Sequence, residues 1–185
     1  MSAVVTLELA NTLPRKCGGC TLCCKLLPVA EIDKKAGVRC RHQAYSKGCR
    51  VYHNGLPASC RLWSCAWLTK SFNGPRPDRS HYVIDILPDY ITADPGEGGE
   101  QQITIPVVQV WIDPGYPDAH LDPALRAYLA TRGEEGVAAL IRFNEREAFV
   151  LFPPAMTGGE WVEGRSNLTP VAQHSFAEIA RALAK

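Results

Sequence analysis

The chain has 185 residues, 46% of them hydrophobic, and a net charge of +1. That length suits one ordinary domain, and that apolar content excludes gross disorder. Near-neutrality argues against a dedicated nucleic-acid or membrane surface. The average hides an asymmetry. Between Arg15 and Cys65 ten Lys/Arg stand against two acids, net +8, whereas from Ala66 onward ten stand against sixteen, net −6.

Met1 to Lys16 has no basic start followed by a long apolar run and no small-residue cleavage site, so it does not read as a secretory signal. No stretch approaches the roughly 18 apolar residues of a spanning helix, and no membrane partner is expected. A reducing, cytoplasmic home is the expectation. In that compartment grouped cysteines are more often metal ligands or redox groups than disulfides.

All eight cysteines fall in the first third, as Cys17, Cys20, Cys23, Cys24, Cys40, Cys49, Cys60 and Cys65. A Cys-x-x-Cys turn brings two sulfurs toward one centre, and Gly18 with Gly19 lets the backbone turn sharply between Cys17 and Cys20. A helix beginning near Cys20 would put Cys23 and Cys24 on its face at i+3 and i+4. Cys23 and Cys24 themselves point roughly 100° apart on a helix, so they would serve different metals or two edges of one larger cluster. Cys60 and Cys65 cannot face the same way on a regular helix, and Cys60 is expected to precede the helix that carries Cys65.

Eight thiolates suggest two four-cysteine sites. Zinc takes four sulfurs in closed structural sites. Cys17-x2-Cys20-x2-Cys23 also has the spacing by which bacterial ferredoxins give three ligands to one [4Fe–4S] cubane, although no cysteine here is followed by proline. Spacing leaves zinc, iron and the partition open. Lys16, Lys25, Arg50 and Arg61 adjoin cysteines and could lower thiol pKa values or donate N–H bonds to sulfur. His42 and His53 could each replace a sulfur, but with eight thiols present the simpler reading is a surface or hydrogen-bonding role. The basic run Lys34 to Arg41 reads as a solvated face balancing thiolate charge.

Beyond the cysteines, Tyr82–Leu87 and Ile103–Ile112 read as strands, with Pro106 favouring an edge, a bulge or a late start in the second. Gly96–Gly99 is a turn between them. Asp122 caps a helix that opens at Pro123 and runs to about Thr131. Gly136–Phe143 and Glu147–Phe152 form a hairpin around Asn144-Glu145, unless Val137–Ile141 extends a helix. Ser175 opens a final helix through a capping box. Trp63 and Trp67, four apart on the helix after Cys60, cover the metal lobe. The breaker-rich Asn73–Pro77 divides residues 1–72, a cysteine-cluster metal-binding lobe, from residues 73–185, an α+β lobe, the two forming one compact unit. The expected class is α+β: a cysteine-rich, metal-organised lobe packed on a small mixed sheet with a C-terminal helix.

The run Cys17, Cys20, Cys23, Cys24, then Cys40, then Cys49-x-Val51-Tyr52, then Pro57-x-x-Cys60-Arg61-x-x-x-Cys65 resembles the YkgJ-like cysteine-cluster family, described as zinc- or iron-chelating. The match covers about positions 15 to 68. Family members often carry Arg-Pro before the penultimate cysteine, where this chain has Leu56-Pro57. The flagellin lysine N-methylases carry a similar motif and are thought to hold an iron–sulfur cluster. The resemblance implies metal binding and no particular reaction.

No Gly-x-Ser-x-Gly, His-Glu-x-x-His or dinucleotide fingerprint occurs in the chain. The first expectation is therefore a metal-binding protein with a structural, reservoir or electron role. The alternatives are an iron–sulfur redox or modifying enzyme, and a zinc-stabilised module for protein or nucleic acid.

Overall fold

The computed structural model describes residues 13–93 and 103–164. It has the expected mixed α and β content, built on one six-stranded mixed sheet. The strands are β3 (Tyr82–Ile84), β4 (Asp89–Ala93), β5 (Ile103–Ile112), β6 (Ala138–Arg142), β7 (Ala148–Phe152) and β8 (Val162–Gly164). β3 and β4 lie end to end along β5, antiparallel to it, and β6, β7 and β8 follow on the other side. Among the described residues only β5 and β6 pair in parallel. Parallel strands need a crossover, and helix α4 (Pro123–Glu134) supplies it, whereas the four-residue helix α3 (Pro77–Ser80) leads into β3. A small hairpin, β1 (Gln43–Ala44) with β2 (Gly48–Cys49), stands apart within the cysteine segment.

The strand expected over Tyr82–Leu87 stops at Ile84, whereas the one expected over Ile103–Ile112 keeps its ends. β5 starts at Ile103, ahead of Pro106, which sits opposite Tyr90. Pairing with β6 begins only at Val107, so the strand is one-sided where the proline lacks its donor. The helix after Asp122 runs to Glu134, through Gly133, where the helix lies so close to Pro153 that a Cβ would stand 2.4 Å from the proline's own Cβ. The Asp122 carboxylate accepts from the N–H groups of Ala124 and Leu125, as a cap should. Strand β6, not a helix, occupies Ala138–Arg142, and the 138–152 hairpin turns on Asn144, whose Oδ1 accepts from the Arg146 and Glu147 N–H groups. The expected turn at Gly96–Gly99 and the helix from Ser175 lie outside the described residues.

Period-two alternation divides the sheet's side chains between two faces. Tyr82, Ile84, Val108, Val110, Ile112, Ala139, Ile141, Phe149 and Leu151 point to one face, where Leu125 and Leu129 of α4 pack with Ala66 and Phe72. The opposite face carries Val83 and Trp111 at one end, packed against Leu22, Leu26, Cys65 and Leu68 of the cysteine segment. Ile91, Val107, Ala138, Leu140 and Val150 form a separate cluster farther along. Because a fully buried aliphatic side chain contributes about 1.5–3 kcal/mol, these contacts hold the cysteine segment to one end of the sheet.

Candidate metal centre

The cysteine segment is built from short pieces locked by backbone contacts. The Cys20 N–H donates to the Cys17 carbonyl at 3.0 Å, with Gly18 at φ +56°. A Cβ on Gly19 would collide with the Ser46 carbonyl, and one on Gly48 would lie 2.9 Å from the Gly18 carbonyl. The Cys17–Cys20 turn thus packs backbone to backbone under the β1–β2 hairpin, whose register sets Cys49 opposite Gln43. Gln43 Nε2 then donates to Thr21 Oγ1 at 2.6 Å.

Helix α1 (Leu22–Leu26) begins after Cys20, so Cys20 belongs to the turn rather than to the helix face expected from its spacing. Leu22 and Leu26, four apart, anchor α1 on the sheet. The Cys24 carbonyl accepts from the Cys40 N–H at 2.9 Å, the Gln43 N–H donates to the Cys40 carbonyl at 3.0 Å, and the His42 N–H reaches Cys40 Sγ at 3.4 Å.

A second expectation is reversed. Cys60 lies within helix α2 (Ala58–Leu62), and Cys65 lies beyond it, forming a β-bridge with Asp85. Pro57, with extended backbone, launches the helix before Cys60, and Trp63 is extended again. Trp63 and Trp67 therefore share no helix, although both pack against the cluster that includes Cys65. Glu31 accepts from both Ser59 N–H and Ser59 Oγ at 2.8 Å, docking α2 on the short 3-10 turn Ala30–Ile32.

All eight cysteines are free thiols; Cys65 is buried and the others are partly buried. Burial, reinforced by Cys65, Cys20 and Cys24, pushes the Cys17 thiol up to about 12. Burial together with Cys24, Cys40, Glu31 and Cys49 pushes Cys60 up to about 11. Burial also raises Cys20, Cys49 and Cys65. Cys23 and Cys24 share one hydrogen bond: it raises Cys23 and, with Lys34 nearby, lowers Cys24 to about 7.

Lys34 is the residue that the sequence misplaced. It lies in a basic run that reads as solvated, yet it is 7% exposed. Its Nζ donates to the carbonyls of Lys25, Leu27 and Lys35. Burial lowers its pKa, while the thiols of Cys40, Cys24, Cys23 and Cys60 favour its charge. A lysine satisfied by three carbonyls leaves no mark in composition or periodicity. Lys25 turns away from the thiols to pair with Asp113. His53 stacks edge-on with Tyr52.

Among the described residues no three His, Cys, Asp or Glu side chains converge closely enough to hold a metal ion. The donor chemistry nevertheless fits one. All eight donors are unbridged sulfurs, several lie within electrostatic reach of others, and one already accepts a backbone N–H. Neutral thiols attract one another only weakly, and charging most of these is opposed by burial and by the other sulfurs. A cation would offset both costs.

A polar group on the same sheet face was invisible in sequence. Arg142, 3% exposed, sits over the Trp111 ring at 5.4 Å, and Gln109 Nε2 donates to Asp89 Oδ2 at 2.5 Å. Among the described residues Arg142 Nε, Gln109 Oε1 and Trp111 Nε1 lack partners. The nearby Asp85 carboxyl is raised by burial. The Trp63 indole comes close enough to counter that rise, but its Nε1 completes no hydrogen bond of normal geometry.

No family model, curated protein or solved structure matches this chain. Among the described residues, no helix is long and apolar enough to cross a membrane.

Proposed function

We propose that this chain is a cytoplasmic metal-binding protein that holds zinc or iron–sulfur through its eight cysteines, in a structural or reservoir role. One observation carries the reading: every cysteine is a free thiol, and all eight occupy one segment where thiols raise or lower one another's pKa. The cysteine spacing, which resembles the YkgJ-like family, supports it. The sulfurs of Cys17, Cys20, Cys23, Cys24, Cys40, Cys49, Cys60 and Cys65 would be the ligands. The metal would supply the positive charge that lets buried thiolates coexist, and structural zinc contributes about 10–16 kcal/mol to folding in small domains.

The chain's own residues account for the rest. Lys34 Nζ is held beside the sulfurs by the carbonyls of Lys25, Leu27 and Lys35, and the His42 N–H orients Cys40 Sγ. Leu22, Leu26, Trp63 and Trp67 shield one side from water. Elemental analysis and a visible spectrum of anaerobically purified protein test the reading. Stoichiometric zinc without colour, or iron with sulfur-to-iron absorption, is expected. Natively folded protein containing neither would overturn it.

A further inference from the structure

Resting on that metal reading, we propose that the eight ligands divide into two four-sulfur sites, Cys17 with Cys20, Cys23 and Cys65, and Cys24 with Cys40, Cys49 and Cys60, each taking one zinc ion or one cubane. The division follows from how the segment is folded. Cys17, Cys20, Cys23 and Cys65 all pack in the apolar cluster of Leu22, Leu26, Leu68, Val83 and Trp111, and the other four lie outside it. The Cys17–Cys20 turn leads directly into α1, while Cys65 reaches the same place from the opposite end of the segment through its bridge to Asp85.

The second set is assembled by backbone contacts. Cys40 is tied to Cys24 by the 2.9 Å N–H to carbonyl bond, and the Gln43 N–H returns to the Cys40 carbonyl. Gln43 stands opposite Cys49 in the hairpin, which keeps Cys49 near Cys40. Cys60 arrives on α2, held by Ser59 to Glu31, and its thiol neighbours are Cys24, Cys40 and Cys49. Cys17 in turn neighbours Cys65 and Cys20. The sets adjoin where Cys17 and Cys23 meet Cys24. Cys23 and Cys24 follow one another on α1, about 100° apart around its axis as consecutive helical residues are, and their hydrogen-bonded thiols form the seam where the first set meets the second.

The experiment uses the full chain loaded with cadmium-113 under reducing conditions, read by elemental stoichiometry and cadmium NMR. Wild type should bind two equivalents and give two all-sulfur resonances. The within-set doubles Cys20→Ser/Cys65→Ser and Cys49→Ser/Cys60→Ser should each retain one equivalent, and the cross-set double Cys20→Ser/Cys60→Ser should retain neither intact site. Should a double variant not fold, the single Cys65→Ser variant serves: it should move one resonance and leave the other in place. A within-set double that loses both equivalents, or a Cys65→Ser change that moves both resonances, overturns the partition. One shared centre in wild type overturns it too while leaving the metal reading intact. No bound metal in wild type removes both.

Discussion

Lys25 Nζ lies 2.5 Å from Asp113 Oδ1, joining the helix that carries Cys23 and Cys24 to the residue that follows β5. Asp113 is 5% exposed and also accepts from the Gly115 N–H. Burial by itself would raise its carboxyl; hydrogen bonds from Lys25 and Gly115 with the Lys25 charge outweigh that and hold it below the usual value.

Lys25→Met should therefore destabilise the chain at neutral pH by about 1–2 kcal/mol, discounted because the lysine is partly exposed. The sign follows from the depressed pKa. The contribution is fully present above the unfolded aspartate value of about 3.9 and is lost as pH falls through the lower folded value. Denaturant melts of both proteins should differ at pH 7 and converge in acid. A constant difference at every pH would contradict the assignment.

Gly19→Ala should damage the cysteine segment, since the new methyl would meet the Ser46 carbonyl, which is backbone and cannot swing aside. A loss of about 1–3 kcal/mol is expected, with reduced metal uptake. Gly115→Ala is the control: its Cβ would stand 3.5 Å from Asp113 Oδ1, an ordinary contact. Equal melting of the two variants would refute the close approach.

Metal affinity should rise steeply with pH. Thiols raised like Cys17, at about 12, and Cys60, at about 11, are protonated at pH 7, so each must release a proton to coordinate. Zinc affinity should strengthen by roughly three to four powers of ten per pH unit per site near neutrality, less where Cys24 is already part-ionised. Calorimetry in buffers of different ionisation enthalpy counts the protons. Release of fewer than one per zinc would contradict neutral thiols.

In chelator-treated protein Cys24 should be the first cysteine alkylated, with a midpoint near pH 7. Cys23→Ala should raise that midpoint most, because it removes the hydrogen bond that lowers Cys24, and Lys34→Met should raise it less. Peptide mass spectrometry across pH identifies the site. Uniform labelling of the eight would argue against this inequality.

Asp122→Ala should cost about 1–2 kcal/mol, since its carboxylate caps α4 at two N–H groups and also accepts from the Tyr82 hydroxyl at 3.1 Å. Thermal melting checks this. An unchanged midpoint would mean that water replaces all three bonds without loss.

Where local chemistry decides, the sequence was readable: Asp122-Pro123 started a helix, Asn144 turned a hairpin, and the apolar run Ile103–Ile112 formed β5. The α1 start and the place of Cys60 were misread because those pieces are five-residue helices, too short for periodicity to register and fixed by contacts with distant chain. Sequence alone determined that eight sulfurs are present, grouped, and embedded in basic residues. Only the tertiary structure decided that Lys34 is buried among them, that Lys25 serves Asp113 instead, and which sulfurs share the apolar cluster. The physical reason is that a buried charge or a shared centre depends on partners tens of residues away, and no local pattern records which partner the chain will meet.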